Sequence, residues 1–210
     1  MRTPYSIRTL LFTTCALPIA AFAQMDYYIA NSFGSRFNDI NDSGTAISGG
    51  AYFDFATETW TLMEEEATEM VSINNAGEVA GSMFLDEELF ILQPAYKKNG
   101  LWNPIGWFPG ANPTESSFST YSISQNGVWV TGQMSIGCCD FRTFRYNTET
   151  EVLTDVSSPD YVAVAGYVIT NDGTIGGWAD DEFMGSTRRI PVYITPELEI
   201  IQVSPELPEF

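Results

Sequence analysis

The chain has 210 residues, 44% hydrophobic and 14% aromatic, which suits one domain with a real core and excludes a disordered polypeptide. Its 27 acidic residues outnumber nine basic ones, for a formal charge of −18, which argues against nucleic acid and anionic membranes as partners because both require a basic patch. It contains no histidine, so Ser-His-Asp and Cys-His catalysis and every His-ligated zinc or copper site are excluded.

In chain order the first element is residues 1–23. Arg2 and Arg8 give a basic start, an apolar run extends from Leu10 to Phe22, and Ala21-Phe22-Ala23 puts small residues at the two positions a signal peptidase reads. Thr13, Thr14 and Pro18 interrupt that run, which is too short to span about 30 Å of hydrocarbon. Phe12-Thr13-Thr14 lacks the small-residue lead-in that a lipoprotein signal would need before Cys15. These features predict a cleaved signal peptide, a single β-repeat domain over residues 24–210, and a secreted or periplasmic protein without membrane insertion. Cleavage would remove two basic and no acidic residues, taking the charge from −18 to −20.

The next feature, "NDINDSG" from Asn38, occurs four times in variant form. "INDSGTAISG" at Ile40 is followed by "INNAGEVAG" at Ile73, "ISQNGVWVTG" at Ile123 and "ITNDGTIGG" at Ile169. Gly44, Gly77, Gly127 and Gly173 stand where a hairpin turn needs a positive φ, and the apolar residues that follow, such as Val79, Trp129 and Ile175, read as strand. The alternation of Asp39, Asn41 and Ser43 also resembles the start of a calcium loop and makes them the candidate metal ligands. Position twelve of that loop, however, is Gly50 where a bidentate Glu belongs, so the pattern reads as a hairpin turn, with calcium as the one cofactor considered and no other expected.

A second hairpin follows each turn. "YFDFATETWTLM" from Tyr52 matches "TFRYNTETEVLTDV" from Thr143 through the shared "TET", while "AYKKNGLWNPIGWF" from Ala95 and "PVYITPELEIIQV" from Pro191 hold the equivalent places. Two hairpins per unit give four strands, over repeats at roughly residues 27–63, 64–110, 111–156 and 157–210. The Ile markers lie 33, 50 and 46 residues apart, near the length of one propeller blade. The predicted fold is therefore all-β, a four-repeat β-propeller-like domain of antiparallel hairpins.

"SINNAGEVAGSMF" and "ITNDGTIGGW", each followed by an aromatic-rich hairpin, resemble the bacterial HAF repeat of probable extracellular repeat proteins. The His-Ala-Phe triplet of that repeat is replaced here, with Pro94-Ala95-Tyr96 and Arg142-Thr143-Phe144 as its expected equivalents. The resemblance implies export and a propeller-like fold, and it brings no catalytic residues.

Candidate sites fall into three groups. Asp86-Glu87-Glu88 and Asp180-Asp181-Glu182 follow equivalent strands, so they form either a cation- or ligand-binding rim on one face or merely solvated loops. Trp102, Trp107 and Phe108, between two prolines and two glycines, either stack on a ligand or fill the wedge between blades. Cys138 and Cys139, the only cysteines after the leader, are open to a vicinal disulfide, to pairing with other chains, or to a reduced packed state. With no catalytic residue assigned, the expected function is an exported, non-catalytic binding module for a glycan or protein ligand. The alternatives are a carboxylate-dependent glycan hydrolase or lyase, and a structural envelope component. The four units either close into a ring or complete one as a homodimer. N-terminal sequencing of secreted or periplasmic material should begin at Gln24, and a retained leader would overturn soluble export.

Overall fold

A computed structural model describes residues 37–64, 67–88, 90–137, 140–183 and 186–203. The leader with its cleavage site, and the Cys138-Cys139 pair, lie outside the described residues. Those described form four separate four-stranded antiparallel sheets joined in sequence, the four blades expected from the repeats. The first sheet contains β1 (Asp39–Ile40), β2 (Thr45–Ser48), β3 (Ala51–Asp54) and β4 (Thr59–Leu62). The second contains β5 (Ala67–Ile73), β6 (Val79–Asp86), β7 (Ile91–Lys98) and β8 (Leu101–Pro104). In the third are β9 (Phe118–Ile123), β10 (Trp129–Ile136), β11 (Asp140–Asn147) and β12 (Val152–Asp155). The fourth contains β13 (Ala163–Ile169), β14 (Ile175–Phe183), β15 (Ser186–Ile194) and β16 (Ile200–Gln202).

The repeated turn joins the first two strands of each sheet, and all four of its glycines lie at positive φ, between 68° and 87°. In each the glycine N–H donates to the carbonyl three residues back, as Gly44 does to Asn41 and Gly77 to Asn74, both at 3.0 Å. The first turn residue also uses its side chain: Asn41 Oδ1 accepts from Thr45 N and Ser43 Oγ, and Asn74 Oδ1 from Ala76 N and Glu78 N. The calcium-like spacing is thus the spacing of a side-chain-capped hairpin. Asp39 is committed elsewhere, since its carboxylate accepts from Ile40 N, from Ser72 Oγ and from Ile73 N, the last two in the second sheet. The second glycine of the repeats has a different cause. At Gly81, Gly132 and Gly177 a Cβ would sit 2.0, 2.2 and 1.8 Å from a carbonyl oxygen of the neighbouring inner strand, so no side chain fits.

The outer hairpins correct two matches made by sequence. Asp54 Oδ1 caps Ala56 N and Thr57 N as Asn147 Oδ1 caps Glu149 N and Thr150 N, and Glu58 shares its positive φ with Glu151. The true correspondence is therefore two residues out of step with the shared "TET". A two-residue slip leaves every side chain on its predicted face, which is why the alternation still read correctly. Similarly, Tyr96 opposes Ala80 as Arg145 opposes Thr131, so the triplet equivalent to Pro94-Ala95-Tyr96 is Thr143-Phe144-Arg145 rather than Arg142-Thr143-Phe144. Asn99-Gly100, both at positive φ, closes the β7–β8 hairpin in the manner expected of a two-residue turn.

The core lies between sheets. β2 packs on β5, β6 on β9 and β10 on β13, so each sheet lays its second strand against the inner strand of the next. At the first junction Ile47 and Tyr52 cover Met70, Val79, Ala95 and Trp102. At the second, Ala80 and Tyr96 meet Val130, Met134, Phe144 and Tyr146. At the third, Val156 and Trp129 pack on Val164, Ile175, Ile190 and Ile194, and buried Arg145 lies over the Trp129 ring and donates to the carbonyls of Gly173, Thr195 and Pro196. Desolvation pulls the pKa of that guanidinium below its ordinary value, and the carbonyls take the place of lost water. Among the described residues no comparable contact joins β14 to β1.

Two outcomes follow. Gly77 has open space around its Cβ position, so only its φ opposes substitution. Gly77→Val should therefore lower stability by about 1–3 kcal/mol more than Ala76→Val, and equal urea midpoints for the two variants would remove the turn assignment. Glu64 straps the first junction by accepting from Lys97 Nζ and Trp102 Nε1. Burial alone would raise its pKa, but the Lys97 hydrogen bond, its own backbone, Trp102 and the Lys97 charge together hold it below the usual carboxylate value. Its contribution is present above the unfolded pKa and is lost as pH falls through the folded one. Glu64→Gln should cost up to about 1 kcal/mol at neutral pH, and that difference should narrow in acid; a constant difference would contradict the ion pair.

Candidate ligand-binding cleft

Between the second and third sheets lies an open cleft of about 780 Å³. One wall is the inner strand β5 with the start of β7, and the other is β9 together with the loop that leads into it. That loop is held from both sides. Ile105 and Phe108 are buried beneath it, and Phe108 N donates to Met134 Sδ at 3.3 Å. Asn112 closes it locally, its carbonyl accepting from Glu115 N and Ser116 N and its side chain from Thr114. Ser117 N then donates to Ser135 Oγ at 2.8 Å, and Gly137 N to Ser116 Oγ. The wall is consequently preformed.

Its chemistry comes from "TESSFSTYS", residues 114–122. Buried Thr120 of β9 donates to Gly81 O at 2.8 Å and ties the second and third sheets together, while the next residue, Tyr121, packs on Tyr167 of the fourth sheet at 4.8 Å between ring centroids. Tyr121 donates to Gln133 Oε1 at 3.0 Å, and burial raises its pKa, so it stays a neutral hydroxyl. Glu69 is the one charged side chain in the lining. Phe90 stands at the edge, 79% exposed and with φ of 54°, an unfavourable backbone state for a bulky residue. Glu58 and Glu151 take nearly the same φ in their hairpin turns, and here the turn places an aromatic ring at the cleft edge.

A second space of about 410 Å³ lies toward the repeated turns. It is lined by the inner strands of all four sheets, with Ile40, Ile73, Ile123 and Ile169 each contributing. The inner strands of all four sheets therefore border one common space.

The sequence-derived candidates do not assemble into one site. Trp102 is core, its Nε1 donating to Glu64 Oε2 at 3.1 Å, and Phe108 is buried; both fill the wedge between sheets and cannot stack on a ligand. Trp107 is half-buried, packing edge-on against Phe118 at 5.6 Å, and so backs the cleft wall without lining the cleft. Asp180 and Asp181 are neutralised by cross-strand arginines, with Arg189 at 3.2 Å and Arg188 at 3.6 Å, and Arg189 also lies over Trp178. They do not form an acidic rim. Asp86, at the end of β6, and exposed Glu87 and Glu88 belong to the hairpin that carries Phe90, whereas Glu182 belongs to β14 in the fourth sheet. Asp39, Asn41 and Ser43 place their oxygens in the turn and on the second sheet, as described above. Phe90 and the hydroxyl wall were missed by sequence, although the clustered Ser and Thr before Tyr121 were a visible signal.

The chain is similar to TolB from Acinetobacter baumannii, with TM-score 0.55 and 10% identity over 81% of this chain and 43% of that one. It is similar also to a protein assigned as TolB from Agrobacterium tumefaciens, with TM-score 0.55, 13% identity, and coverage of 82% and 63%. A third likeness is to one of two prolyl endopeptidases studied for inter-domain dynamics, with TM-score 0.50, 11% identity, and coverage of 79% and 26%. The fold is a β-propeller. At such identities the likeness concerns architecture alone, and the chain spans less than two thirds of each of these proteins. No protein-family model matches the chain, and no curated protein sequence does.

Proposed function

We propose that this chain is an exported, non-catalytic propeller module related to the HAF repeats, and that the cleft between its second and third sheets binds a neutral, hydroxyl-rich ligand, a glycan. The composition of the cleft carries this reading. A sugar needs hydrogen-bonding partners of either sense and an apolar face on which a ring can rest. Thr114, Ser116, Ser117 and Ser119 supply the first, and Phe90 the second. A strongly anionic ligand would find no lysine or arginine in the lining, and a cation would find only Glu69.

The same lining speaks against the hydrolase alternative. Glycoside hydrolysis ordinarily uses two carboxyl groups about 5–9.5 Å apart, one as acid and one as base or nucleophile. Glu69 has no carboxylate partner in the cleft, and it is exposed. Binding without bond cleavage is the chemistry that these side chains allow.

A panel of neutral glycans, screened against the purified exported form and followed by calorimetry on any hit, tests the reading. Phe90→Ala should weaken the hit at least tenfold and Ser119→Ala about threefold, with unchanged unfolding midpoints. No binder in the panel, or a binder indifferent to both substitutions, would overturn it.

A further inference from the structure

We infer that the uncovered face of the fourth sheet takes the first sheet of a second copy of this chain, head to tail, so that two chains close one eight-bladed ring. Three junctions within the chain define what a junction requires. Tyr52, Tyr96 and Arg145 occupy one position on the leading side of their sheets, opposite Ile47, Ala80 and Thr131. Each reaches the next sheet. Tyr52 accepts from Lys97 Nζ, Tyr96 packs on Tyr146 at 5.7 Å, and Arg145 grips the carbonyls of the fourth sheet. Tyr193, opposite Gly176, is the fourth member of this series.

Among the described residues, both ends of the arc are exposed at these positions. Tyr193 is 38% exposed, whereas its equivalent Tyr96 is 5% exposed. On the receiving side, Trp60 pairs with Phe53 as Trp102 pairs with Lys97, yet Trp60 is 41% exposed and Trp102 only 8%. Ile40 is 54% exposed, against 3% for Ile73 at the same place in the second sheet. Phe37 stacks on Trp60 at 5.6 Å and extends the receiving surface. One end thus offers an aromatic leading face and the other an aromatic receiving face, the two halves of an interface the chain already makes three times.

The turns carry the same polarity. Asn41 Nδ2 donates to Asn74 O, and Asn74 Nδ2 to Ser124 O. Backbone amides run in the same direction, from Asp42 to the Asn75 side chain, from Asn75 to Gln125, and from Asn126 to Asn171. The next rung would set the Asn171 amide against the Asp42 carboxylate, a donor meeting an acceptor. The blade count selects two copies. Propellers typically hold four to eight blades, and the four described sheets of each of two copies together fall within that range. Two identical junctions related by a two-fold axis close the ring without leaving an edge.

Sedimentation velocity and light scattering on the exported form, over a hundredfold concentration range at about 0.15 M salt, where screening is short-ranged, should show a dimer. Tyr193→Asp and Trp60→Asp should each weaken it at least tenfold, with circular dichroism and melting unchanged. An equimolar mixture of the two variants should regain a dimer through its one intact junction. If either substitution disturbs folding, Thr170→Arg and Ile40→Arg test the same two ends at exposed positions. A monomer at every concentration overturns the inference and assigns the junction to a different occupant. A dimer abolished from only one end overturns the head-to-tail arrangement.

Discussion

Each sheet in this chain has two faces, and its own four strands can cover neither. Burial therefore depends on the neighbour, and the inter-sheet contact is the interaction on which the rest of the structure depends. The largest fully buried side chains, among them Phe144, Ile47, Met70 and Met134, lie in strands that face an adjacent sheet. The inner strands are bulged where they pass the glycines, so neighbouring backbones approach closely enough to exclude any Cβ at Gly81, Gly132 and Gly177. A repeat with a bulkier residue there could still form its hairpins but could not seat its inner strand.

Given that constraint, the three junctions need not share a chemistry, and they do not. The second is aliphatic and aromatic, the first adds the Glu64–Lys97 strap, and the third adds to its apolar cluster an arginine donating to carbonyls. What they share is position and direction. This explains why the turn was legible in sequence while the junction residues were not. The turn is local, and its φ and its capping oxygen must come from residues a few places apart. Tyr52, Tyr96, Arg145 and Tyr193 have no common residue type, and only strand register reveals that they are equivalent.

The same distinction accounts for the other errors. "TET" is a good turn composition wherever it falls, so it aligned two hairpins by the wrong residues while leaving their faces intact. Trp102 and Phe108 look like a displayed aromatic cluster in one dimension, yet the strand period and the connection after β8 turn both inward. Of the acidic clusters, Asp86 ends β6, whereas Asp180 and Asp181 lie within β14. Sequence did not show that Arg188 and Arg189 stand opposite Asp181 and Asp180, because cross-strand pairing was not yet defined. The cleft was hardest to see, since its walls come from stretches some fifty residues apart that meet only after the sheets have stacked.

The proposed binding cleft and the proposed assembly faces lie at different junctions. The cleft lies at the second junction, internal to one chain, while the bare faces lie at the two ends of the arc. Closing the ring through those ends leaves the cleft walls untouched. A two-copy ring would then carry two clefts in fixed orientation about one axis. Against a polymeric ligand such as a glycan chain, two rigidly held weak sites act at high effective concentration, and the pair can exceed the affinity of either alone by orders of magnitude. A shallow, mostly neutral cleft with few charged contacts is a poor candidate for tight single-site binding, but it suits this use. In that arrangement the open arc is the means by which a modest site gains avidity.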